Sequence, residues 1–329
     1  GAIQMIGDMQ KWTPNVAGII EHAREIHPKT EIISRLVSGE IHRSNYEKVC
    51  IRSRKLASAL EKDGVKKGDV IATLALNTYR HLEMYYGISG MGAITHTLNF
   101  RLHPEQAVYI INHAEDKIIF VELPFVPILE ALQENLKTVE KYVVLCEVDE
   151  MPETTLKNAI SYEEYIQDGD ENYSWPTLED DAACALCYTS GTTGNPKGVL
   201  YSHKSNVIHA QAALTAMTIK PDDTILMVVP LFHVLAWGIP YFGPMNGLKL
   251  VMPGMQMEGE PLFELIDQED VTLAFGVPTI WMGLLAYCRD NNKILSSVKN
   301  TIIGGSALSL ATLQEFDEVH DVNVIHAWG

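Results

Sequence analysis

Tyr188-Thr-Ser-Gly-Thr-Thr-Gly-Asn-Pro-Lys-Gly198 is a hydroxyl- and glycine-rich loop that ends in a single lysine. An apolar, β-prone run, Ala182-Ala-Cys-Ala-Leu-Cys-Tyr188, leads into it, and Val199-Leu-Tyr201 leads out. Glycines let backbone N–H groups approach anionic oxygens. The hydroxyls of Thr189, Ser190, Thr192 and Thr193 add donors, and Lys197 adds a point charge. Together they suit the triphosphate of a nucleotide. A flexible surface turn would need neither the threonines nor a buried strand leading in. The common P-loop has glycine before its lysine and Ser or Thr after it. Here Pro196 and Gly198 flank Lys197. Proline fixes φ and removes a donor, so this segment cannot wrap an anion as a helix N-terminus does. A conventional P-loop NTPase is disfavoured.

Outward from the loop, strands and helices alternate. Ser44-Asn-Tyr-Glu47 reads as a capping box opening an amphipathic helix to about Asp63. A buried strand 69–75 follows, then helix 79–91, strand 94–98, a helix opened by Pro104, strand 117–121, helix 124–137 and strand 142–146. The pattern resumes with strand 182–188, the loop, a short strand, helix 203–217 and strand 224–229. Strands 248–252, 271–275, 300–303 and 322–326 then alternate with helices 260–269, 278–290 and 309–319. This predicts an α/β fold of two layered, doubly wound subdomains, with mostly parallel sheets flanked by helices, spanning about 44–146 and 180–329. Between Glu147 and Asp181 twelve Asp/Glu stand against the single basic Lys157, so 147–179 reads as a solvated acidic connector. Ligands of such folds sit beyond the C-terminal ends of strands, where Gly304-Gly305 and Trp328-Gly329 fall.

The composition excludes several classes. A net charge of −17 argues against a nucleic-acid partner, and 47% hydrophobic residues support a sizeable core. Five cysteines without paired spacing point to a reducing compartment, the cytoplasm. Cys184 and Cys187 form a C-x-x-C, but on a strand, residues three apart face opposite sides, so the pair reads as buried apolar residues rather than a metal site. Thr224 to Met245 is uncharged and long enough to span a bilayer. Pro230, Pro240 and Pro244 would leave backbone groups unpaired in lipid, so no transmembrane segment is expected; a buried strand followed by a helix entering a substrate pocket fits better.

The loop resembles, at all eleven positions, the phosphate-binding motif of the adenylate-forming superfamily of acyl-CoA synthetases, peptide-synthetase adenylation domains and luciferases. Three further segments agree in order. Pro230-Leu-Phe-His-Val-Leu-Ala-Trp-Gly238 is similar to the segment where a histidine and then an aromatic border the acyl site. Gly304-Gly-Ser-Ala307 resembles the adenine-side glycine turn, and His326-Ala-Trp-Gly329 the start of the motif whose aromatic ring packs on adenine. The run from Leu186 to His203 is most similar to fatty-acyl and short-to-medium acyl-CoA ligases. On this resemblance the chain reads as an incomplete N-terminal adenylating domain. The family's following threonine, Mg²⁺-binding glutamate, ribose-binding aspartate, hinge and lysine-bearing C-terminal domain would lie past Gly329. The glycine at position 1 is expected to be a trimmed-tag remnant.

The resemblance implies that Thr189, Ser190, Gly191, Thr192, Thr193, Gly194 and Lys197 hold the β- and γ-phosphates of ATP with Mg²⁺, Thr193 being the metal-side hydroxyl. Gly304, Gly305 and Ser306 would border the nucleotide and acyl edge, with Trp328 and Gly329 against adenine. His233 would position the carboxylate, Trp237 line or gate the acyl tunnel, and Gly276 and Trp281 form its next wall, small Gly276 leaving room for a chain. His203 reads as structural, capping or orienting the phosphate loop. No arginine or aspartate suited to an amino-acid zwitterion stands in the pocket segments. The implied reaction is ATP-dependent activation of a medium- or long-chain fatty acid, or a similar acid, to acyl-AMP and transfer to coenzyme A. A luciferase-like oxygenase and a non-catalytic nucleotide- or acyl-binding module remain alternatives. Relatives are often dimers, which leaves a homodimer open.

Overall fold

The computed structural model describes residues 15–189, 194–217, 219–232, 238–304 and 307–326. Two seven-stranded sheets carry the chain. In the first, β3 (Val70–Leu74), β4 (Ile94–Thr97), β5 (Ile118–Glu122), β6 (Lys141–Leu145), β7 (Ile160–Ser161), β8 (Ala183–Thr189) and β9 (Lys197–Ser202) lie in the order β7-β6-β5-β3-β4-β8-β9. In the second, β1 (Glu31–Arg35), β2 (Ile41–Asn45), β10 (Thr224–Met227), β11 (Lys249–Met252), β12 (Leu273–Gly276), β13 (Asn300–Ile303) and β14 (Asn323–His326) lie in the order β14-β13-β12-β10-β11-β1-β2. All pairings are parallel except β1–β2 and β8–β9. The helices are α1 (Val16–Ile26), α2 (Tyr46–Lys62), α3 (Tyr79–Gly90), α4 (Pro104–Ala114), α5 (Val126–Leu132), α6 (Tyr162–Gln167), α7 (His203–Ala216), α8 (Ile239–Met245), α9 (Gly259–Gln268), α10 (Pro278–Asn291) and α11 (Leu310–His320). None of the described helices is long and apolar enough to cross a membrane.

Four buried clusters define five layers. Helices α4 and α5 cover the outer face of the first sheet, and α9, α10 and α11 the outer face of the second. Between the sheets lie α1, α2, α3, α7 and α8, whose core residues include Val16, Tyr46, Tyr85, Val207 and Phe242. Every residue of α3 is buried, including Arg80, His81 and Glu83. A helix enclosed on all sides must supply partners for its polar groups. Glu83 receives Arg52 at 2.7 Å and the Tyr162 hydroxyl at 3.0 Å, Arg80 bonds Glu163 and Glu147, and His81 bridges Thr73 and the Leu76 carbonyl.

The boundary between sheets differs from the boundary expected along the sequence. Strands β1 and β2, ahead of residue 46, complete the second sheet, while β8 and β9, beyond residue 180, complete the first. The acidic connector is also more than a solvated excursion. It adds β7 beside β6, buries Leu156, Tyr162, Ile166 and Leu178, and directs Glu147 and Glu163 at Arg52 and Arg80. Its acid is partly the counter-charge of the seam helices.

Two local expectations need correcting. The cap of α2 is Asn45, whose side chain accepts from the Lys48 N–H, while Ser44 lies buried in β2. The two residue types are interchangeable caps, and pairing with β1 places Ser44 in the ladder. The thiols of Cys184 and Cys187 do not diverge: both join the inter-sheet cluster. A register shift between Ala183 and Ala185 inserts Cys184 as an extra residue and resets the alternation. All five cysteines are buried thiols.

Candidate active site

The two strands around the loop form an antiparallel hairpin at the edge of the first sheet, with Thr189 opposite Lys197 and Tyr188 opposite Gly198. The Thr189 hydroxyl donates to the Lys197 carbonyl at 3.4 Å. Pro196 is buried while Lys197 is exposed, and among the described residues Lys197 makes no ion pair. Gly194 has φ of +87°, a left-handed conformation that favours glycine, and among the described residues nothing lies within 4 Å of an added Cβ. At Gly198 room decides: a Cβ would stand 3.2 Å from both the Leu186 side chain and the Tyr188 ring. Tyr188 thus lies across its strand partner and donates or accepts at His113 Nδ1, 2.7 Å away. Its phenol is pushed up to about 12 by burial. Ser190, Gly191, Thr192 and Thr193 lie outside the described residues.

A cavity of about 270 Å³ opens beside the hairpin and is lined by His96, Asn99, Tyr188, Thr189 and Phe232, among others. A second, about 140 Å³, is lined by Leu76, Asn77, Phe100, Arg101, Pro230 and Phe232 among others. Phe232 lines both. It directly precedes His233, so the hairpin expected to hold phosphates and the segment expected to border the acid converge on one side chain. His233 and Trp237 lie outside the described residues, as do Gly305, Ser306, Trp328 and Gly329.

Topology explains the convergence. From β10 the connection runs to β11 on one side, and the chain then returns past β10 to β12 and β13 on the other. The crevice between the ends of β10 and β12 is therefore a switch point, where open α/β sheets bind ligands. Pro230 to Phe232 leave β10 there, Gly276 ends β12, and Gly304 follows β13 with its N–H on the Gly276 carbonyl at 3.3 Å. The first sheet has its own switch point between β3 and β5, and Leu76 and Asn77 leave it toward the same crevice.

Two residues stand apart from their expected roles. Trp281 is 1% exposed, packs edge-on against Phe316, and sits 3.3 Å from where a Gly276 Cβ would be. The space left by Gly276 is filled by this ring rather than open to a chain, because the first turn of α10 folds back under β12. His203 opens α7 and accepts the Val16 N–H at 3.2 Å, so the element it caps is α1. Burial holds its imidazole down at about 4. Sequence reasoning missed Asn77, Phe232 and Tyr188 as site neighbours; for Phe232, adjacency to His233 was the available signal. Among the described residues no group of three or more His, Cys, Asp or Glu could hold a metal ion.

Comparison with known proteins agrees with this fold. The family model described as AMP-binding enzyme matches residues 20–329. A medium-chain-fatty-acid–CoA ligase of Ectopseudomonas oleovorans is 44% identical over 327 residues, 99% of this chain and 60% of that protein. A 3-methylmercaptopropionyl-CoA ligase of Ruegeria pomeroyi is 43% identical over 99% of this chain and 61% of its own length. An anthranilate CoA ligase solved with anthranoyl-AMP superposes with a TM-score of 0.85 at 23% identity, covering 94% of this chain and 58% of that one; at that identity the likeness is one of fold. The chain thus spans about 60% of the length of the curated relatives it matches.

Proposed function

The chain belongs to the AMP-binding enzyme family, and on that premise we propose that it is the nucleotide- and acid-holding part of an ATP-dependent acyl-CoA synthetase. The acid is a fatty acid of medium or greater length, or a similar carboxylic acid. A carboxylate is a poor electrophile because its oxygen is a poor leaving group. Its attack on the α-phosphorus of ATP forms the acyl-AMP bond and breaks the bond to pyrophosphate. The thiol of coenzyme A then displaces AMP to give the thioester. Both steps require charge to be stabilised as it develops, more than they require acid–base groups. Lys197 and Thr189 at the hairpin mouth, with the loop between them, meet the departing phosphates. His233 orients the carboxylate, and Trp237 borders the chain. Magnesium would be held by the triphosphate together with the Thr193 hydroxyl and would neutralise charge on the departing pyrophosphate. The buried thiols support a reducing, cytoplasmic setting.

The observation that carries this reading is an exposed Lys197, without an ion pair among the described residues, at the mouth of a hairpin whose cavity is also lined by Phe232. The test is pyrophosphate and acyl-CoA formation by the full-length protein against a ladder of carboxylic acids, with calorimetry of ATP and fatty acid on residues 1–329. Binding of both ligands without pyrophosphate release by the full-length protein would replace the enzyme by a binding module. Light or peroxide without acyl-CoA would replace it by an oxygenase.

A further inference from the structure

The segment 233–237 is entered and left through backbone held by three side chains of one region. Asn77, 3% exposed, ends the turn after β3 in the first sheet. Its amide nitrogen donates to the carbonyls of Met227 at 3.0 Å and Val229 at 2.8 Å, and its amide oxygen accepts the Leu231 N–H at 2.9 Å. Both donors and the acceptor of one amide are thus spent on five residues of the other sheet's switch-point loop. The Tyr85 hydroxyl donates to the Leu231 carbonyl. On the far side of the segment, the Tyr86 hydroxyl donates to the Pro240 carbonyl, and Gly238 takes a left-handed turn with φ of +84° into α8.

The clamp is itself held. The turn before Asn77 is fixed by Glu122, whose carboxylate accepts the Leu76 N–H at 3.3 Å, and by His81 Nδ1 at 3.1 Å from the Leu76 carbonyl. Such bonds exceed what is needed to join two sheets. Apolar packing already does that, through Tyr85, Leu231, Ile239, Tyr241 and their neighbours. What the hydrogen bonds add is register: they fix where the loop starts and where it ends, to within a hydrogen-bond length.

We propose that Asn77, with the hydroxyls of Tyr85 and Tyr86, forms a positioning clamp that sets acid specificity by fixing both ends of the segment bearing His233 and Trp237. None of the three need touch the acid; each acts through the backbone it holds. The inference rests on the acyl-CoA synthetase reading for the roles of His233 and Trp237. The nucleotide-holding hairpin β8–β9 lies at one edge of the first sheet, with β4 between it and β3, and among the described residues the hydrogen bonds of the three side chains go to the loop around residues 227–240 rather than to the hairpin. The clamp therefore predicts a split between the two substrates.

The experiment uses the full-length enzyme, with Asn77→Asp, which keeps shape but removes both donors, and Tyr86→Phe, which removes one oxygen and keeps the ring. Kinetics are measured per folded active site for a ladder of straight-chain acids and for ATP, beside melting temperatures. The expected result for Asn77→Asp is a loss of about tenfold or more in kcat/KM for the acid, since misplacement by about 1 Å costs on the order of a hundredfold. The preferred chain length shifts, while the KM for ATP stays within about twofold. Tyr86→Phe shows the same split at smaller amplitude, and decides the matter if Asn77→Asp fails to fold. An unchanged acid profile in both variants, or acid and ATP constants moving together with the melting temperature, overturns the clamp. A wild-type enzyme that makes no acyl-CoA from any acid instead overturns the functional reading beneath it.

Discussion

The seam between the sheets and the β8–β9 hairpin treat charge in opposite ways. In the seam, Arg52, Arg80, Glu83 and Glu163 are mutually bonded and largely withdrawn from water. At the hairpin mouth, Lys197 is exposed and makes no ion pair among the described residues. A charge used for architecture is already matched; a charge kept for a ligand is not. Removing the first leaves its partner stranded, whereas removing the second leaves the fold untouched.

The largest expected effect is therefore structural. Arg52→Met strands Glu83, which is fully buried, and should lower unfolding free energy by about 3–5 kcal/mol in denaturant titrations. A loss below about 1 kcal/mol would show that the seam network is not load-sharing in this way. Next comes the hairpin. Lys197→Ala should reduce pyrophosphate release by the full-length enzyme by about 10²-fold or more while stability moves by no more than about 0.5 kcal/mol. Parallel losses of melting temperature and activity would erase the contrast.

A third prediction sharpens the seam side through pH. Burial pushes the Glu122 carboxyl up to about 7, against the opposing pull of the Leu76 N–H and Arg80. The folded state thus holds a proton that the unfolded chain releases near 4.5. Stability from this group is fully present below that value and is lost as pH rises through about 7. The loss amounts to about 3 kcal/mol. Glu122→Gln should flatten the decline between about pH 5 and 8. His81 has the opposite sign: burial holds it down at about 4, so its contribution is lost as pH falls from 6.5 toward that value. An undiminished decline in the Gln variant would assign it to another group. The smallest effect is at the cap, where Asn45→Ala should cost about 1 kcal/mol.

Much of this contrast was legible in the sequence. The hydrophobic alternation gave helix 79–91 and strand 94–98 almost to the residue, since long apolar runs bounded by glycine permit few other readings. The hairpin was legible because its loop chemistry is local. Sheet membership was not, because Ile41-His-Arg-Ser-Asn45 is too polar to read as a strand and gains its place only from β1 beside it. The bulge at Cys184 was equally hidden, since an inserted residue leaves no mark on composition. In the site, the family motifs pointed to 230–238 and 304–307, but the side chain holding the first of these, Asn77, lies some 150 residues earlier. Trp281 was read from its neighbours in sequence, whereas its ring turns to Phe316 on the outer face.

The interleaving of the sheets also has a consequence for how the molecule is made. Ile32 takes its parallel neighbour from Leu250, more than two hundred residues downstream. At a ribosomal pace of about 5–20 residues per second, that partner emerges roughly 10–40 s later. Throughout this interval β1, with Ile32 and Ile33, can pair with β2 on one edge while its other edge has no neighbour. The nascent chain must either be shielded by a holding factor or bury that edge temporarily against the helices that precede its final mate.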